Sequence, residues 1–270
     1  MVCRVICSQG RIGDKSDSTL RGAKATAKLL EDRFNIHATI VGNPSPGKDD
    51  KWTECLHEAA ETLEHLRSEV ERSLEEQGTT ILALNTCSAS LATLPAVAAK
   101  HKDIKVLWID AHGDFNTPAT SDTGYLGGMV LGAVCGLWES GYGHGLDPSQ
   151  LILIGVHDVD EKEDLLLKDN NVLILPPQSA TPDKIIQAIG DANVWIHIDW
   201  DVLQPGQINA DYKVDGGMEL NQLLHIIEKI PAEKVLGLEL AEFSADDFDS
   251  ASNKKGLSNI SRLVNSLFKQ

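Results

Sequence analysis

Eight short apolar runs recur along the chain, at residues 2–8, 38–41, 80–84, 106–109, 151–155, 172–175, 194–198 and 235–240. Several are continuous rather than alternating, the pattern of strands buried on both faces of a parallel sheet. Between them the spacing changes to steps of three and four. It predicts helices over 21–33, 53–76, 91–100, 129–138, 182–189 and 220–229, with a last helix over 257–268. The clearest is 53–76, where Leu56, Ala59, Leu63, Leu66, Val70 and Leu74 form one stripe with acidic residues between them, an outer helix packed on one face. Residues 9–18 and the proline-containing 42–51 read as loops. Strands alternating with helices make an α/β protein. Eight such strands suit either a doubly wound three-layer arrangement or a closed barrel, and the pattern alone does not choose. No repeat, linker or low-complexity block interrupts the 270 residues, so one domain is expected over 1–270.

Composition narrows the partners. At 42% hydrophobic and 24% charged the chain is ordinary for a globular protein. Its charge is lopsided, with 40 acidic against 24 basic residues and a net charge of −16. Such a surface repels phosphate backbones and attracts cations and basic small molecules, which argues against nucleic acid as a partner. Cys3, Cys7, Cys55, Cys87 and Cys135 are odd in number, dispersed and without a CxxC pair, as reduced thiols of a cytoplasmic protein would be. The N-terminal apolar run is too short for a signal-peptide core. No stretch approaches the run of about 18 apolar residues that a membrane span needs. A cytoplasmic location follows as the expectation.

The candidate chemistry lies just beyond the strands. After the run 106–109 come Asp110, His112 and Asp114, at alternate positions that share a face while the chain stays extended. After 194–198 come Asp199 and Asp201, again two apart. A lone Asp-x-Asp after a strand is usually a loop or a helix cap. Two such clusters, one with an imidazole, are different: four carboxylates at neighbouring strand ends repel one another unless divalent cations lie among them. An oxygen-rich donor set favours Mn²⁺ or Mg²⁺ over structural Zn²⁺. His197 shares its strand with Asp199 and is open to two roles, facing the site or resting in the core. Asp158, Asp160 and Glu163 follow the run 151–155, and Glu242 follows 235–240. Free carboxylates rimming a site suit a guanidinium or an ammonium group.

These motifs together resemble the arginase/agmatinase (ureohydrolase) superfamily: Asp110-Ala111-His112-x-Asp114-x-Asn116-x-Pro118, then Asp199-x-Asp201, then Glu242 near the end of a late strand. The likeness spans about residues 82–242. It implies a three-layer α/β/α fold with an eight-stranded, mostly parallel sheet and two Mn²⁺ ions. By position, Asp110 and Asp199 would bridge the ions, Asp114 would serve one, and His112 and Asp201 the other. Glu242 would hold the substrate guanidinium, Asn116 would contact an amino-acid carboxylate, and Asp160 with Glu163 would read its α-ammonium. Asp114 and Asp201 are the candidates for relaying a proton to the leaving nitrogen. A cationic amino acid is the implied partner; the homo-oligomers common among such proteins cannot be read from this sequence.

Two departures from the family pattern matter. Its first metal motif, Gly-Gly-Asp-His-Ser, is here Asn85-Thr86-Cys87-Ser88-Ala89, which puts Ser88 where a ligand histidine belongs. A thiolate is a stronger ligand than a hydroxyl, so Cys87 is expected to complete the first ion, with Ser88 a hydrogen-bond donor behind it. The alternative is a small core cysteine and a lost ion. Second, the family's proton-shuttle histidine falls at Gly127, in a segment where Thr123 and Tyr125 are the nearby pocket candidates. Losing a shuttle costs roughly 10²–10⁴ in rate, and less for a weakly basic guanidine. With residues 122–129, these departures resemble the Nω-hydroxy-L-arginine amidinohydrolase branch. Hydrolysis of hydroxyarginine to L-ornithine and hydroxyurea is therefore expected. The alternatives are action on arginine or another guanidino acid, or a metal-poor non-catalytic relative.

Overall fold

A computed structural model describes residues 2–246 and 250–268. The strands are β1 (Val2–Ser8), β2 (Thr39–Val41), β3 (Thr79–Ala83), β4 (Lys105–Ile109), β5 (Leu151–Ile154), β6 (Leu173–Leu175), β7 (Val194–Asp199) and β8 (Val235–Ala241). All pair in parallel in one sheet of order β2-β1-β3-β8-β7-β4-β5-β6. The sheet is open, with β2 and β6 at its edges. That settles the choice between an open sheet and a barrel.

Parallel neighbours need crossovers, which the helices supply. They are α1 (Ser18–Phe34), α2 (Trp52–Ser73), α3 (Ser90–Lys100), α4 (Val130–Val134), α5 (Glu161–Asp169), α6 (Pro182–Ile189), α7 (Leu220–Lys229) and α8 (Ala251–Leu267). Strand alternation divides the apolar residues into two cores. Leu107 and Ile109 of β4 face one core with α1, α6, α7 and α8. Val106 and Trp108 face the other, with α2, α3, α4 and α5. The result is three layers, as the sequence resemblance implies.

Helices α6 and α7 fall where their periodicity predicts them. The expected helix 129–138 stops at Val134. Gly136 takes φ +79, and Leu137 N–H returns to Gly132 at 2.8 Å, closing the turn. Helix α8 begins at Ala251, six residues early, because the Ser250 side chain caps Asn253 N–H. Helix α5 has few apolar positions to announce it. Asp160 starts it by accepting from both Lys162 and Glu163 N–H. Among the described residues no helix is long and apolar enough to cross a membrane.

One topological feature positions the site. Strands β3 and β4, consecutive in the chain, are separated in the sheet by β8 and β7. The carboxyl ends of β3, β8, β7, β4 and β5 therefore lie side by side around this switch point, where open α/β sheets leave a crevice.

Candidate active site

Those five strand ends line a pocket of about 230 Å³. Cys87 enters from the turn after β3, and Glu242 from the end of β8. Asp199 and Asp201 come from β7, His112, Asp114 and Asn116 from the loop after β4, and Asp158, Asp160 and Glu163 from beyond β5. Thr123, Tyr125 and Tyr212 complete the wall.

Local backbone bonds aim the carboxylates. Asp199 Oδ1 accepts from Asp201 N–H at 2.9 Å, and Asp110 Oδ1 from His112 N–H at 2.7 Å. Asp201 Oδ1 accepts from Ala111 N–H at 3.2 Å, tying the β7 loop to the β4 loop. Asp199 and Asp110 thus each spend one oxygen on their own turn, and Asp201 spends one on the neighbouring loop. Asp114 and Glu242 both adopt left-handed backbone, φ 48 and φ 62. This conformation is costly for residues with a Cβ and is retained at functional sites.

The crowding is severe. Asp110, Asp114, Asp199, Asp201 and Glu242 are all at most 5% exposed. Burial, then the charges of Asp201, Asp110 and Glu242, pushes the Asp199 carboxyl well above the usual range. Burial and Asp110 do the same to Asp114. Burial, with Asp110 next, takes Asp201 to about 6. Burial and the Asp14 charge raise Glu242. Asp110 goes the other way: burial opposes its ionisation, but the His112 imidazole outweighs burial and holds it low.

The donor chemistry fits divalent cations. Three groups of buried donors can each converge on one ion: Cys87, Asp110 and His197; Cys87, Asp199 and Glu242; Asp110, His112 and Asp201. Asp201 Oδ2 has no hydrogen-bond partner although His112 Nδ1 is 3.1 Å away. The two groups are close and yet misaligned for a bond, as ligands facing a common centre are.

Cys87 and Ser88 part company. Cys87 Sγ stands 3.2 Å from Asp199 Oδ2 and 3.9 Å from Asp110 Oδ2. The Ser88 hydroxyl is buried without a partner and does not line the pocket, so the donor role expected of it is not seen. Turn geometry explains the difference. Thr86 Oγ1 caps the 3₁₀ turn Cys87–Ala89 through Ser88 N–H, which carries residue 88 away from the site and leaves residue 87 facing it.

The β5 side of the pocket is also assembled. Asn116 donates one amide hydrogen to Asp160 Oδ2 at 2.9 Å. Glu163 accepts from Phe115 N–H at 2.7 Å, and burial raises its carboxyl to about 7. At 4% exposure Glu163, in the first turn of α5, belongs to the site wall. Tyr125 fills the space over Gly127: a Cβ there would sit 2.5 Å from its ring carbon Cε1. Burial and the nearby Glu242 keep the Tyr125 phenol protonated.

Sequence reasoning missed Tyr212, Lys15 and Asp14. Tyr212 packs edge-on to His112 and accepts from Lys15 Nζ at 3.0 Å. It lies in a loop with no periodicity to mark it. Asp14 accepts from Ile12 N–H, Thr19 and Asn85 just behind Glu242. Burial raises Asp14 to about 6. A carboxyl raised by folding binds protons preferentially in the native state, so its contribution favours folding at low pH and fades as pH rises from about 4 through 6. Relative to Asp14→Asn, the metal-free protein should therefore gain about 1 kcal/mol between pH 7 and pH 5. Denaturant titrations of both proteins at the two pH values measure it, and parallel pH profiles would exclude it.

Comparison with known proteins follows the same outline. The chain is 51% identical over 241 residues to the N(omega)-hydroxy-L-arginine amidinohydrolase of Streptomyces lavendulae, covering 89% of this chain and 88% of that one. Its fold superposes on the Entamoeba histolytica arginase in complex with L-ornithine with a TM-score of 0.85 at 20% identity, over 97% of both chains. The Bacillus cereus arginase gives the same TM-score at 23% identity, over 100% of this chain and 98% of that one. The model of the arginase family matches residues 19–265, a span that takes in every strand end lining the pocket. The chain belongs to the arginase family.

Proposed function

We propose that the protein hydrolyses the guanidino group of Nω-hydroxy-L-arginine, adding one water to give L-ornithine and hydroxyurea. The observation that carries this reading is the paired departure in the site: the turn that lacks the family's ligand histidine presents the Cys87 thiol, one residue earlier, to the acid cluster, and the Tyr125 ring lies over Gly127 where the shuttle histidine is absent. The relative that is 51% identical bears the same activity in its name. A reaction on the less basic hydroxyguanidine needs less help at the leaving nitrogen.

Two Mn²⁺ ions are the cofactors that this donor set suits, and Asp110 and Asp199 would help hold both. Cys87 and Asp114 would serve one ion, His112 and Asp201 the other. When bound, such ions supply a water acidified enough to attack near neutral pH and neutralise the charge that develops. The chain's own groups do the rest. Glu242 spends Oε1 on Cys87 N–H at 3.1 Å and offers Oε2 to the guanidino nitrogens. Asp160 and Glu163 take the α-ammonium, whose charge draws Glu163 back to its anion. Asn116, through its second amide hydrogen, and Thr123 face the α-carboxylate. Tyr125 closes the guanidino end against water, and Asp114 or Asp201 passes the proton to the leaving nitrogen. The five cysteines are all free, as in a reducing cytoplasm.

Two measurements test the proposal. Hydroxyarginine, arginine, agmatine and guanidinobutyrate are assayed in parallel with Mn²⁺, and turnover should be fastest on hydroxyarginine. Metal analysis of the wild type should find two ions per chain, dropping toward one in Cys87→Ser. Arginine as the preferred substrate would sink the first assignment, and an unchanged count of two would sink the second.

The absent shuttle gives a further test. Gly127→His should not confer arginine hydrolysis, because its Cβ collides with Tyr125. The ring must move, and KM for hydroxyarginine should rise. A gain in arginine turnover of about tenfold or more would show instead that Tyr125 yields to a working shuttle.

A further inference from the structure

Beneath the carboxylates lies a buried cluster that the hydrolytic scheme leaves unused. His197 is fully buried in β7, two residues before Asp199. Strand alternation sends the two side chains to the same face, so the imidazole enters the floor of the site. Its Nδ1 lies 2.7 Å from Glu239 Oε2 and 3.2 Å from Ser90 Oγ. Glu239 is its register partner on β8 and is also fully buried. Ser90 donates to Oε2 of that carboxylate at 2.6 Å, and Thr93 donates to the other oxygen. Trp108 stacks on the imidazole with centroids 3.7 Å apart and planes 5° from parallel. The indole N–H of Trp108 is held by Asp110 Oδ2 at 3.1 Å.

One edge of the ring is therefore held by a carboxylate and one face by an indole. The free edge presents Nε2 at 3.3 Å from Cys87 Sγ. A cysteine side chain has a single torsion with three staggered wells, and the observed one brings sulfur to both Asp199 and Asp110. Burying a carboxylate and an imidazole is costly. Their neighbours on β7 and β8 are apolar, so the sheet itself does not call for them. Carboxylate–histidine pairs recur behind metal sites, where they fix the orientation of what they touch.

We propose that His197, oriented by Glu239, is a positioning residue for Cys87: its hydrogen bond selects the rotamer that aims the sulfur at the Asp110–Asp199 edge. This rests on the reading of Cys87 as a metal ligand given above. The imidazole thus acts through the sulfur and does not touch substrate.

The test uses the full chain loaded with Co²⁺, whose near-ultraviolet thiolate charge-transfer absorption reports the metal–sulfur contact. His197→Asn places an amide where Nδ1 stands, keeping the Glu239 bond and losing the one to Cys87. His197→Gln reaches the position of Nε2 and keeps the sulfur contact. The thiolate absorption should weaken several-fold in His197→Asn, with cobalt affinity down roughly 10–100-fold, and His197→Gln should restore most of both. Glu239→Gln, which preserves volume, should weaken the band in the same direction and serves if His197→Asn does not fold.

An undiminished band in His197→Asn or Glu239→Gln overturns the proposal. So does loss of a whole cobalt ion with the thiolate band of the remainder intact, which would make His197 a ligand in its own right. A wild-type spectrum identical to that of Cys87→Ser would instead overturn the thiolate reading beneath it.

Discussion

Asp199→Asn should empty the site of metal and reduce hydroxyarginine hydrolysis to near background, while leaving the metal-free fold as stable as the wild type or more so. Asp199 closes β7 and is pressed by its neighbours Asp201, Asp110 and Glu242, beside the Cys87 sulfur. An asparagine keeps the acceptor for Asp201 N–H and removes one negative charge. Under the ligand assignment proposed above, a neutral amide is a poor substitute for Asp199, so both ions should be lost together and turnover should fall by roughly 10³-fold or more. The same change relieves repulsion in the empty site. Each 1 kcal/mol recovered would lift Tm by about 2–4 °C in a chain of this size. Metal analysis and thermal unfolding on one preparation read both effects. A variant that still binds two ions, or that unfolds well below the metal-free wild type, would show that Asp199 is chiefly structural.

Glu242→Gln should produce the opposite split, with metal retained and catalysis lost. The glutamine can keep the contact with Cys87 N–H through its amide oxygen but cannot offer an anionic oxygen to the guanidino group. Two charged hydrogen bonds at about 1.5–2 kcal/mol each set the loss. That corresponds to roughly 10²–10³ in kcat/KM. Glu242 also stands within reach of an ion shared with Cys87 and Asp199, so the metal count decides its role. Two ions with low turnover assign it to the substrate. One ion would make it a ligand, and full activity would remove it from the site altogether.

Much of this was legible before any coordinates because it is local. The apolar runs predict all eight strands and the acids that follow them mark the strand ends, although a tight turn at Asp110–His112 and a left-handed Asp114, not extended alternation, set how those side chains point. The acid pairs at 110–114 and 199–201 sit in tight turns that depend on nearby residues alone. The apolar spacing over 129–138 overruns the observed helix because a left-handed glycine outweighs it, and α5 has little periodicity because its start depends on the Asp160 cap. Ligand chemistry alone favours Cys87 over Ser88, and the Ser88 N–H bond to Thr86 Oγ1 is the local reason that residue 87 and not residue 88 turns inward.

An α/β protein with acidic strand ends suited to divalent cations and a cationic substrate follows from the order of residues alone. Periodicity, charge and tight-turn motifs are properties of neighbouring residues, and they survive without knowledge of the fold. Only the tertiary structure decided that the sheet is open, that β8 and β7 stand between β3 and β4, and that Tyr125 occupies the space above Gly127. It alone brought Cys87 to His197 across 110 residues of chain and set His197 on Glu239. Such contacts depend on which strands become neighbours, and in a parallel sheet that order is set by crossovers packing on both faces, not by any one segment.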